Sequence, residues 1–317
     1  MAPSNGSNPQ QQNSRPPAPD VVPGLPWMQL GEFDMASSLT PPPKPYPAQS
    51  SPAERAAMRF AVHGNAVFTG GAGMLALASA RALLEHGLSG LALFDLPAAI
   101  EKGKEAIEAL RAEFPAAKII TQGCDVTDEK GMQAAVRHAK EQLGNLNILC
   151  CFAGIVNCVN STEMTLDAWK KVLDVNTTGC WIAAQAVGST RQMIESGQGG
   201  KIIFISSISG HRVNYPQPQA AYNVSKAALL HMRSSLAAEW TRYGIRINTI
   251  SPGYMDTVLN EGERLAPWRQ VWAERNPMRR MGSPEELTGP VVLLCSDIGG
   301  SYINGTDIVV DGGGLVF

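Results

Sequence analysis

The chain has 317 residues, of which 44% are hydrophobic, 6% aromatic and 17% charged, with a formal net charge of −2 at pH 7. This composition is typical of a globular protein with one large core or two modest ones. The near-neutral charge excludes the basic surface by which proteins bind nucleic acid or anionic membranes.

The chain also lacks the apolar and basic segments that direct proteins into or across membranes. No apolar stretch approaches the roughly 20 residues that span a bilayer. The opening MAPSNGSNPQQQNSRPPAPD has neither the charge and apolar pattern of a signal peptide nor an Arg-rich amphipathic face. We therefore expect a cytoplasmic protein that is not a membrane partner.

Cysteine usage points to an unbridged, metal-free protein. The six cysteines are Cys124, Cys150, Cys151, Cys158, Cys180 and Cys295. They form no CxxC pair and have no metal-ligand spacing with the five histidines, and most lie in apolar or strand-like surroundings. We expect reduced, buried thiols rather than disulfide bridges or metal ligands.

Residues 1–55 are predicted to be a largely disordered extension. Of the 22 prolines, 13 precede Ala53, among runs of Gln, Ser and Asn, so this segment cannot bury enough apolar surface to offset its ordering entropy. Residues 25–35, LPWMQLGEFDM, are the exception. Trp27, Leu30 and Phe33 either dock on the body or a neighbouring subunit, or belong to a plain linker. A partner-docking role for the extension stays open.

From residue 64 onward, apolar strands alternate strictly with helices. The predicted strands are NAVFTGG, GLALFDL, AKIITQGCDV, LNILCCFAG, GKIIFISS, IRINTISPG and DIVVDGG. The predicted helices are MLALASARALLEHG, AAIEKGKEAIEALRAEF, DEKGMQAAVRHAKEQLG, TLDAWKKVLDVNTTGCWIAAQAV, AAYNVSKAALLHMRSSLAAEWTRYG and SPEELTGPVVLLCS. Near-continuous apolar strands in this order predict an α/β fold, a doubly wound parallel sheet (Rossmann fold), in one domain over residues 56–317.

The first strand runs directly into the glycine-rich turn TGGAGMLA and then into a helix. At the carboxyl edge of such a sheet, glycine lets the backbone approach a pyrophosphate, and the helix supplies N–H groups. A purely structural turn would have the same sequence, but the strand–turn–helix context favours a dinucleotide site. The candidate contacts in this turn are Gly70, Gly71, Gly73, Met74 and Leu75.

Asp95 ends the second strand, 25 residues after Gly70. A carboxylate there accepts hydrogen bonds from ribose hydroxyls and repels a 2′-phosphate. Neither Gly73 nor Leu96 is basic, so nothing evident would receive that phosphate. NAD is therefore favoured as cofactor and NADP stays open, as does a role for Asp95 as a cap or turn residue.

A phenol and an ammonium lie four residues apart in YNVSK, as Tyr222 and Lys226. One helical turn places them side by side, and a neighbouring positive charge favours the phenolate, which helps a Tyr exchange protons. Ser207 lies 15 residues before Tyr222, after a strand, and Asn176 lies within a predicted helix, where Asn is unfavourable. This context favours catalysis over a solvated surface pair.

Several motifs together carry a family resemblance. They are TGGAG, CDVTD, CFAG, DVNTTG, SSISG, YNVSK, SPGYMDT and YINGTDIVVDGG, in this order. From about residue 64 to residue 317 the chain resembles the short-chain dehydrogenases/reductases. The segments SISGHRVNYPQPQAAYNVSKAA and SPGYMDTVLNEG are more narrowly similar to fungal polyol and ketose members, such as the mannitol, D-arabinitol, sorbose and xylulose enzymes.

The resemblance implies a catalytic tetrad of Asn176, Ser207, Tyr222 and Lys226. It implies that Tyr222 is the general base for alcohol oxidation or the acid for ketone reduction, and that Ser207 holds the substrate oxygen. Lys226 would bind the nicotinamide ribose, and Asn176 would hold a water that links Lys226 to solvent. No metal is implied.

Further cofactor contacts follow from the same resemblance. Those expected around the adenosine are Asp125, Val126, Ala153 and Gly154. Those expected at the nicotinamide carboxamide are Pro252, Gly253 and Thr257. Tyr222 and Lys226 are expected to contact the cofactor as well.

The chain departs from the family pattern in two places. The later glycines of TGxxxGxG are replaced by Met74 and Ala76. Ala76 adds only a methyl group at a helix–strand contact, whereas Met74 lies where the backbone approaches phosphate. The common NNAG is CFAG here, so Cys151 and Phe152 leave hydrogen bonding near the adenosine to the backbone. No catalytic group is lost.

The sequence thus predicts an oxidoreductase that transfers a hydride between NAD and a secondary alcohol or ketone, with a polyol/ketose pair as the small-molecule substrate. Residues from about 254 to 280 should close the substrate pocket, where Trp268 and Trp272 either shape the lid or pack on it. The alternatives are an NADPH-dependent reductase of a ketose or secondary-metabolite ketone, and a catalytically silent dinucleotide-sensing protein. The C-terminal SYINGTDIVVDGG resembles the family's tetramer-forming end, which implies a homotetramer.

Overall fold

The structure is a computed structural model, and it describes residues 39–189, 193–257 and 265–316, together with Pro26 and Met28. The proposed docking residues Trp27, Leu30 and Phe33 lie outside the described residues.

The described residues contain one seven-stranded parallel sheet with the strand order β3-β2-β1-β4-β5-β6-β7. The strands are β1 (Asn65–Thr69), β2 (Gly90–Asp95), β3 (Lys118–Gly123), β4 (Leu146–Cys151), β5 (Gly200–Ile205), β6 (Ile245–Pro252) and β7 (Asp307–Val310). Two apolar clusters pack helices against the sheet, one centred on Val67, Leu149 and Phe204, the other on Phe68, Leu93 and Ile148. Adjacent residues of a strand thus enter different clusters, as a sheet buried on both faces requires. The predicted doubly wound fold is confirmed.

Helices connect and cover the strands. They are α1 (Pro52–Arg59), α2 (Met74–Glu85), α3 (Pro97–Lys102), α4 (Lys104–Glu113), α5 (Glu129–Leu143), α6 (Leu166–Leu173), α7 (Gly179–Ala184), α8 (Met193–Ser196), α9 (Ala220–Trp240), α10 (Ala266–Glu274) and α11 (Thr288–Cys295). Among the helices of the described ranges, none has both the length and the apolar character to cross a bilayer.

Helix α1 lies across the predicted boundary at residue 55 and was not identified from the sequence. Ser51 caps it by accepting a hydrogen bond from the Glu54 N–H, and the Glu54 carboxylate accepts one from the Ser51 N–H. Such a capping box satisfies N–H groups that a helix start leaves unpaired. The sequence SPAE contains this signal.

The single helix predicted over residues 98–114 is wrong, because two short helices meet at Gly103. The backbone of Gly103 has φ −87° and ψ 1°, outside the helical geometry of α3 and α4. A Cβ on Gly103 would lie 3.2 Å from the Cβ of Ala72 in the glycine-rich turn. The break therefore permits a close approach between this helix pair and the predicted dinucleotide site.

The helix predicted over residues 165–187 is helical in the structure but not uniformly α-helical. A π-helical stretch, Asp174–Thr178, joins α6 to α7, and a second one, Gln185–Ser189, follows α7. π-Helical turns widen the helix by one residue per turn and are frequent at functional sites. The first of them contains Asn176.

The segment that precedes β1 lies along the edge of the sheet where the strands begin. The Val62 N–H donates to the His86 carbonyl oxygen (2.8 Å), and the Asp297 N–H donates to the Ala61 carbonyl oxygen (3.1 Å). Farther back, the Leu39 carbonyl oxygen lies 2.8 Å from the position of a Cβ on Gly244, which directly precedes β6. The motifs that carry the predicted chemistry lie at the opposite edge, after the ends of β1, β2, β4, β5 and β6.

Candidate active site

The strand ends and helix α9 bring the predicted tetrad together. Ser207 follows the end of β5 by two residues, and Tyr222 and Lys226 lie in the first two turns of α9. Asn176 lies in the π-helical stretch after α6, beside α9. Three of the four residues, Ser207, Tyr222 and Lys226, line one cavity of about 260 Å³, and Asn176 lies behind Lys226.

Lys226 is held at the end of β5. Its side chain is buried, with 5% exposure, and its Nζ donates a hydrogen bond to the Ile205 carbonyl oxygen (2.7 Å). The Ser206 hydroxyl donates to the Lys226 carbonyl oxygen (2.8 Å), which ties α9 to the same strand end. Nζ lies 5.6 Å from the centroid of the Tyr222 ring. The Lys226 ammonium and the Tyr222 phenol therefore lie close together, as their spacing in the sequence predicted.

Asn176 is fully buried, and its amide is bonded to the protein. Its Oδ1 accepts from the Ile155 N–H (2.8 Å), and its Nδ2 donates to the Ile155 carbonyl oxygen (2.9 Å) and the Ser225 hydroxyl (3.0 Å). A Cβ on Gly154 would lie 3.3 Å from Asn176 Oδ1 and 3.5 Å from Lys226 Nζ. Because a carbonyl oxygen has two lone pairs, Oδ1 keeps one acceptor position for a water near Lys226.

Ser207 begins a short 3₁₀ turn, Ile208–Gly210, and its hydroxyl caps that turn. Its Oγ accepts from the Ser209 N–H (3.1 Å) and donates to Ser209 Oγ (3.0 Å). The side chain is 8% exposed and lines the cavity with the half-buried Tyr222. An oxygen entering this cavity can therefore meet a hydroxyl and a phenol together.

The predicted cofactor residues divide between this cavity and the surface beside it. Those that line the cavity, besides Tyr222 and Lys226, are Leu75, Gly154, Pro252, Gly253 and Thr257. Those outside its lining are Gly70, Gly71, Gly73, Met74, Asp95, Asp125, Val126 and Ala153. The side chain of Val126 is buried against Gly179, so only its backbone is available to a ligand. Asp125 is exposed, and its Oδ1 accepts from the Thr127 N–H (2.9 Å).

The glycine-rich turn leaves an open space beside Gly70, which a side chain at that position would fill. Gly70 has φ +65°, and a Cβ there would lie 2.5 Å from the Ala153 nitrogen. Asp95 holds the turn against β2, because its Oδ2 accepts from the Ala72 N–H (3.1 Å) and its Oδ1 from the Leu96 N–H (2.8 Å). Asp95 thus stabilises the turn through its backbone contacts. It also lies at the end of β2, where a dinucleotide ribose is expected.

We expect Gly70→Ala to destabilise the protein and Gly73→Ala to be tolerated. The left-handed backbone and the contact with Ala153 should cost Gly70→Ala about 1–3 kcal/mol of unfolding free energy. Gly73 has φ −75°, and a Cβ there would lie 3.3 Å from the Gly70 carbonyl oxygen. Urea denaturation of both variants measures the difference, and equal stabilities would contradict the assigned role of the Gly70 backbone.

The departures from the family pattern have ordinary packing environments. Ala76 is buried, with 1% exposure, and Met74 is 41% exposed at the first position of α2. Cys151 is buried at the end of β4, and the ring of Phe152 lies 5.2 Å from that of Phe68. The Phe152 N–H donates to the Thr69 carbonyl oxygen (2.9 Å). These residues thus maintain the strand ends without adding polar side chains.

Part of the cavity lining is a wall of polar and aromatic side chains: Asn214, Gln217, Tyr254 and Trp272. Of these, the sequence had singled out only Trp272. The Tyr254 ring stacks on Trp272, with 4.4 Å between centroids and 6° between planes. The Tyr254 oxygen accepts from Asn214 Nδ2 (2.8 Å) and Gln217 Nε2 (3.0 Å), and Gln217 Oε1 accepts from Trp272 Nε1 (3.0 Å). Burial raises the pKa of the Tyr254 phenol, and the two amide hydrogen bonds oppose that shift.

Of the two tryptophans predicted at the lid, Trp272 is buried in this wall, and Trp268 lies 6.3 Å from it at 52°. Both line the cavity. The available sequence signal for the wall was the run of carboxamides in NYPQPQ, directly before the helix that carries Tyr222.

Cys158 differs from the other cysteines. It is exposed and lines the cavity, and its thiol donates to Gln219 Oε1 at 3.7 Å. The expectation of a buried thiol is therefore wrong for Cys158, because the loop after β4 turns toward the cavity instead of entering the core. The other five thiols are buried and free, as expected.

The chain is similar over most of its length to known oxidoreductases. A family model described as enoyl-(acyl carrier protein) reductase matches residues 71–314. A ribulose-forming D-arabinitol 2-dehydrogenase of Scheffersomyces stipitis is 36% identical over 263 residues, covering 78% of this chain and 92% of that protein. A probable NADP-dependent mannitol dehydrogenase of Yarrowia lipolytica is 33% identical over 288 residues, covering 88% and 96%.

The chain is also similar to a solved structure. The crystal structure of a short-chain type dehydrogenase/reductase from Mycobacterium marinum is 34% identical, with a TM-score of 0.74, and covers 81% of this chain and 97% of that one. The motifs, the strand order and these similarities have one consistent explanation. The chain belongs to the short-chain dehydrogenase/reductase family and is an oxidoreductase of that family.

Proposed function

We propose that this protein is a sugar-alcohol dehydrogenase, which interconverts a secondary alcohol of a polyol and the corresponding ketose by hydride transfer with a nicotinamide dinucleotide. The observation that carries the proposal is that Ser207, Tyr222 and Lys226 line the same cavity as Gly253 and Thr257, the residues expected at the nicotinamide. A substrate hydroxyl in this cavity would lie within reach of both the proton-transfer group and the hydride acceptor.

The residues around the glycine-rich turn suit a dinucleotide. Gly70 and Gly154 leave room where a Cβ would meet Ala153 or would approach Asn176 and Lys226. The proposed contacts are Gly70, Gly71, Gly73, Met74, Leu75, Asp95, Asp125, Val126, Ala153, Gly154, Tyr222, Lys226, Pro252, Gly253 and Thr257. Bound at these residues, the nicotinamide would supply the hydride acceptor for alcohol oxidation or the donor for ketone reduction.

In the proposed mechanism the chain's own residues orient the substrate and move its proton. The Ser207 hydroxyl would turn its hydrogen from Ser209 Oγ to the substrate oxygen, and the Tyr222 oxygen takes the alcohol proton as the hydride leaves. The Lys226 ammonium, fixed on the Ile205 carbonyl oxygen, stabilises the negative charge on the phenol oxygen. Asn176 holds a water that connects Lys226 with solvent. Ketone reduction runs the same steps in reverse.

The cavity lining supports a neutral substrate. Its described lining contains hydroxyl, carboxamide and aromatic side chains, and Lys226 is the one charged side chain among them. Lys226 is already placed beside the phenol, so no second cation in this described lining is available for the carboxylate of a sugar acid. The two curated relatives named above carry polyol names, arabinitol and mannitol, which agree with a neutral polyhydroxylated substrate.

A substrate panel tests the proposal directly. Purified protein is assayed with D-arabinitol, D-mannitol and D-sorbitol, and with the matching ketoses, using NAD(H) and NADP(H) in parallel. We expect turnover of at least one polyol/ketose pair. Dinucleotide binding without turnover of any alcohol or ketone would refute the proposal in favour of a silent dinucleotide sensor. Reduction of ketones with NADPH alone would favour the reductase alternative.

We propose NAD as the preferred dinucleotide because of Asp95, although the Yarrowia lipolytica relative is named NADP-dependent. We expect Asp95→Ala to weaken NAD and to improve NADP, each about tenfold, because a charged hydrogen bond to the ribose and a repulsion of the 2′-phosphate disappear together. KM values for both dinucleotides measure the change.

Asp95→Asn is the matched control for the structural role of this side chain. It removes the negative charge and keeps an acceptor for the Ala72 N–H. It loses the acceptor for the Leu96 N–H, so we expect Asp95→Asn to improve NADP and to lose less stability than Asp95→Ala, which loses both acceptors. Should neither variant change the ratio of the two KM values, Asp95 does not determine cofactor choice.

The remaining organisation is also proposed. Residues 1–55 would be an extension and residues 56–317 the enzyme domain, with the segment from about 254 to 280 covering the substrate. We propose a homotetramer on the likeness of SYINGTDIVVDGG to the family's tetramer-forming end, and the cytoplasm as its location.

A further inference from the structure

We infer that Tyr254 and Asn214 form a hydroxyl-recognition pair, which selects substrates that carry a second hydroxyl group away from the reacting carbon. The inference rests on the proposed function, since it concerns how that substrate is chosen. Both side chains line the same cavity as Tyr222. Neither belongs to the tetrad or to the proposed dinucleotide contacts.

The orientation of Gln217 fixes the direction of the hydrogen bonds. An indole N–H is a donor only, so the Gln217 atom 3.0 Å from Trp272 Nε1 must be the amide oxygen. The other end of this amide, Nε2, then points to the Tyr254 oxygen at 3.0 Å and must donate to it. Gln217 is buried, with 4% exposure, so water does not compete with this arrangement.

The Tyr254 oxygen receives a second donor, because Asn214 Nδ2 lies 2.8 Å away. With both lone pairs occupied, the phenol hydrogen must be donated elsewhere, and no acceptor for it occurs in the described part of the chain. The Oδ1 of Asn214 is buried and likewise has no partner among the described residues. The pair therefore has one unused donor and one unused acceptor.

The kind of unused group depends on how the Asn214 amide is oriented, but the presence of unused polar groups does not. If its nitrogen and oxygen exchange places, Oδ1 accepts the Tyr254 hydrogen, and two N–H donors of Nδ2 become unused instead. Either orientation leaves polar capacity at the cavity wall. Unpaired polar groups are costly where water is excluded, so a ligand that satisfies them is favoured.

An alcohol hydroxyl is suited to this pair because it donates and accepts at once. In the first orientation it can donate to Asn214 Oδ1 and accept from the Tyr254 hydroxyl, and a ketone oxygen or a carboxylate lacks the donor. In the flipped orientation the hydroxyl oxygen can accept from Asn214 Nδ2. A polyol or ketose has further hydroxyls beside the carbon that reacts at Tyr222, whereas a simple secondary alcohol has none.

The pair is held rigidly, as selective recognition requires. The Tyr254 ring is stacked on Trp272 with 6° between the planes. The Tyr254 carbonyl oxygen accepts from the Gly282 N–H at 2.9 Å, which ties its backbone to the segment after α10. Gln217 connects the two aromatic side chains. Tyr254 and Trp272 thus form a fixed wall in the cavity that also contains the reacting groups.

The test combines Tyr254→Phe with two alcohols. D-Arabinitol has a hydroxyl on every carbon, and 2-pentanol has the same chain length with one hydroxyl. At saturating dinucleotide, we expect Tyr254→Phe to lower kcat/KM for D-arabinitol about 10- to 100-fold, mainly through KM, and to leave kcat/KM for 2-pentanol within about twofold. Phe retains the ring that stacks on Trp272.

Tyr215→Phe is the matched control, because Tyr215 is 60% exposed and lies outside the cavity lining. It should leave kcat/KM unchanged for both D-arabinitol and 2-pentanol. Asn214→Leu should reproduce the selective loss, and the double variant should lose less than the product of the two single losses, because the two residues bind one hydroxyl.

Wild-type rates and variant ratios answer separate questions. Absence of wild-type polyol turnover refutes the proposed function and, with it, this inference. If the wild type oxidises D-arabinitol but Tyr254→Phe loses equal factors on both alcohols, the pair is a structural wall only and the inference is overturned. If Tyr254→Phe has the same kcat/KM for D-arabinitol as the wild type, the inference is overturned as well. Tryptophan fluorescence titration with D-arabinitol gives an independent binding readout, since Trp268 and Trp272 line the cavity.

Discussion

Tyr222→Phe is expected to lower kcat by about 10²- to 10⁴-fold, the range that general acid–base catalysis contributes. Phe keeps the ring over which Lys226 lies, at 5.6 Å from the centroid, and removes only the oxygen that exchanges the proton. Dinucleotide affinity should fall much less than kcat, because Tyr222 is one of many proposed dinucleotide contacts and the others remain. Steady-state rates and an NADH fluorescence titration measure the two quantities separately.

Tyr215→Phe is the control for this substitution. Tyr215 lies seven residues earlier, is 60% exposed, and packs its ring under the Arg275 guanidinium at 4.9 Å, a contact that Phe retains. We expect its kcat to be unchanged. A Tyr222→Phe enzyme that works at the unmutated rate with dinucleotide bound would remove the basis of the proposed mechanism.

Lys226→Met is expected to lower kcat/KM by about 100-fold. A unit charge 5.6 Å from the Tyr222 ring is worth about 3 kcal/mol at an effective dielectric near 20, which corresponds to roughly that factor. Lys226→Arg keeps the positive charge and should retain more activity than Lys226→Met. The kcat/KM values of the two variants therefore distinguish an electrostatic role from a merely structural one.

Lys201→Met provides the matched control. Lys201 lies at the other edge of the sheet, at the start of β5, and pairs with Asp297. Its replacement removes a partly buried stem and an ion pair without touching the cavity, so kcat/KM should change little. If Lys226→Met and Lys201→Met reduce kcat/KM to the same extent, the charge of Lys226 has no special role in proton transfer.

The fold could be predicted because its signals are local and repeated. Each strand is a short apolar run, and each helix has its own boundary residues. Once strands and helices are seen to alternate along the chain, a parallel sheet follows. The break at Gly103 was missed because Ala72, which approaches Gly103 closely, lies about 30 residues earlier. The π-helical stretch at Asn176 was missed for a similar reason, since buried contacts with Ile155 and Ser225 accompany it.

The candidate site divides in the same way. Asn176, Ser207, Tyr222 and Lys226 could be proposed as a tetrad because the motifs that carry them resemble those of the family. Helical spacing by itself predicted only that Tyr222 and Lys226 are neighbours. The wall around Tyr254 could not be predicted, because Asn214, Gln217 and Trp272 converge on it from three separate segments. Carboxamides have no characteristic spacing, and their role depends on which atoms remain unpaired after folding.

The course of residues 39–63 along the starting edge of the sheet has a consequence for what can be attached to the protein. Strand β6 alone, with eight residues, spans roughly 25 Å between that edge and the reacting groups. A fusion partner or surface tether joined ahead of Leu39 would thus enter the enzyme domain on its far side. The length of the joined segment could then be varied without changing a residue of the cavity lining.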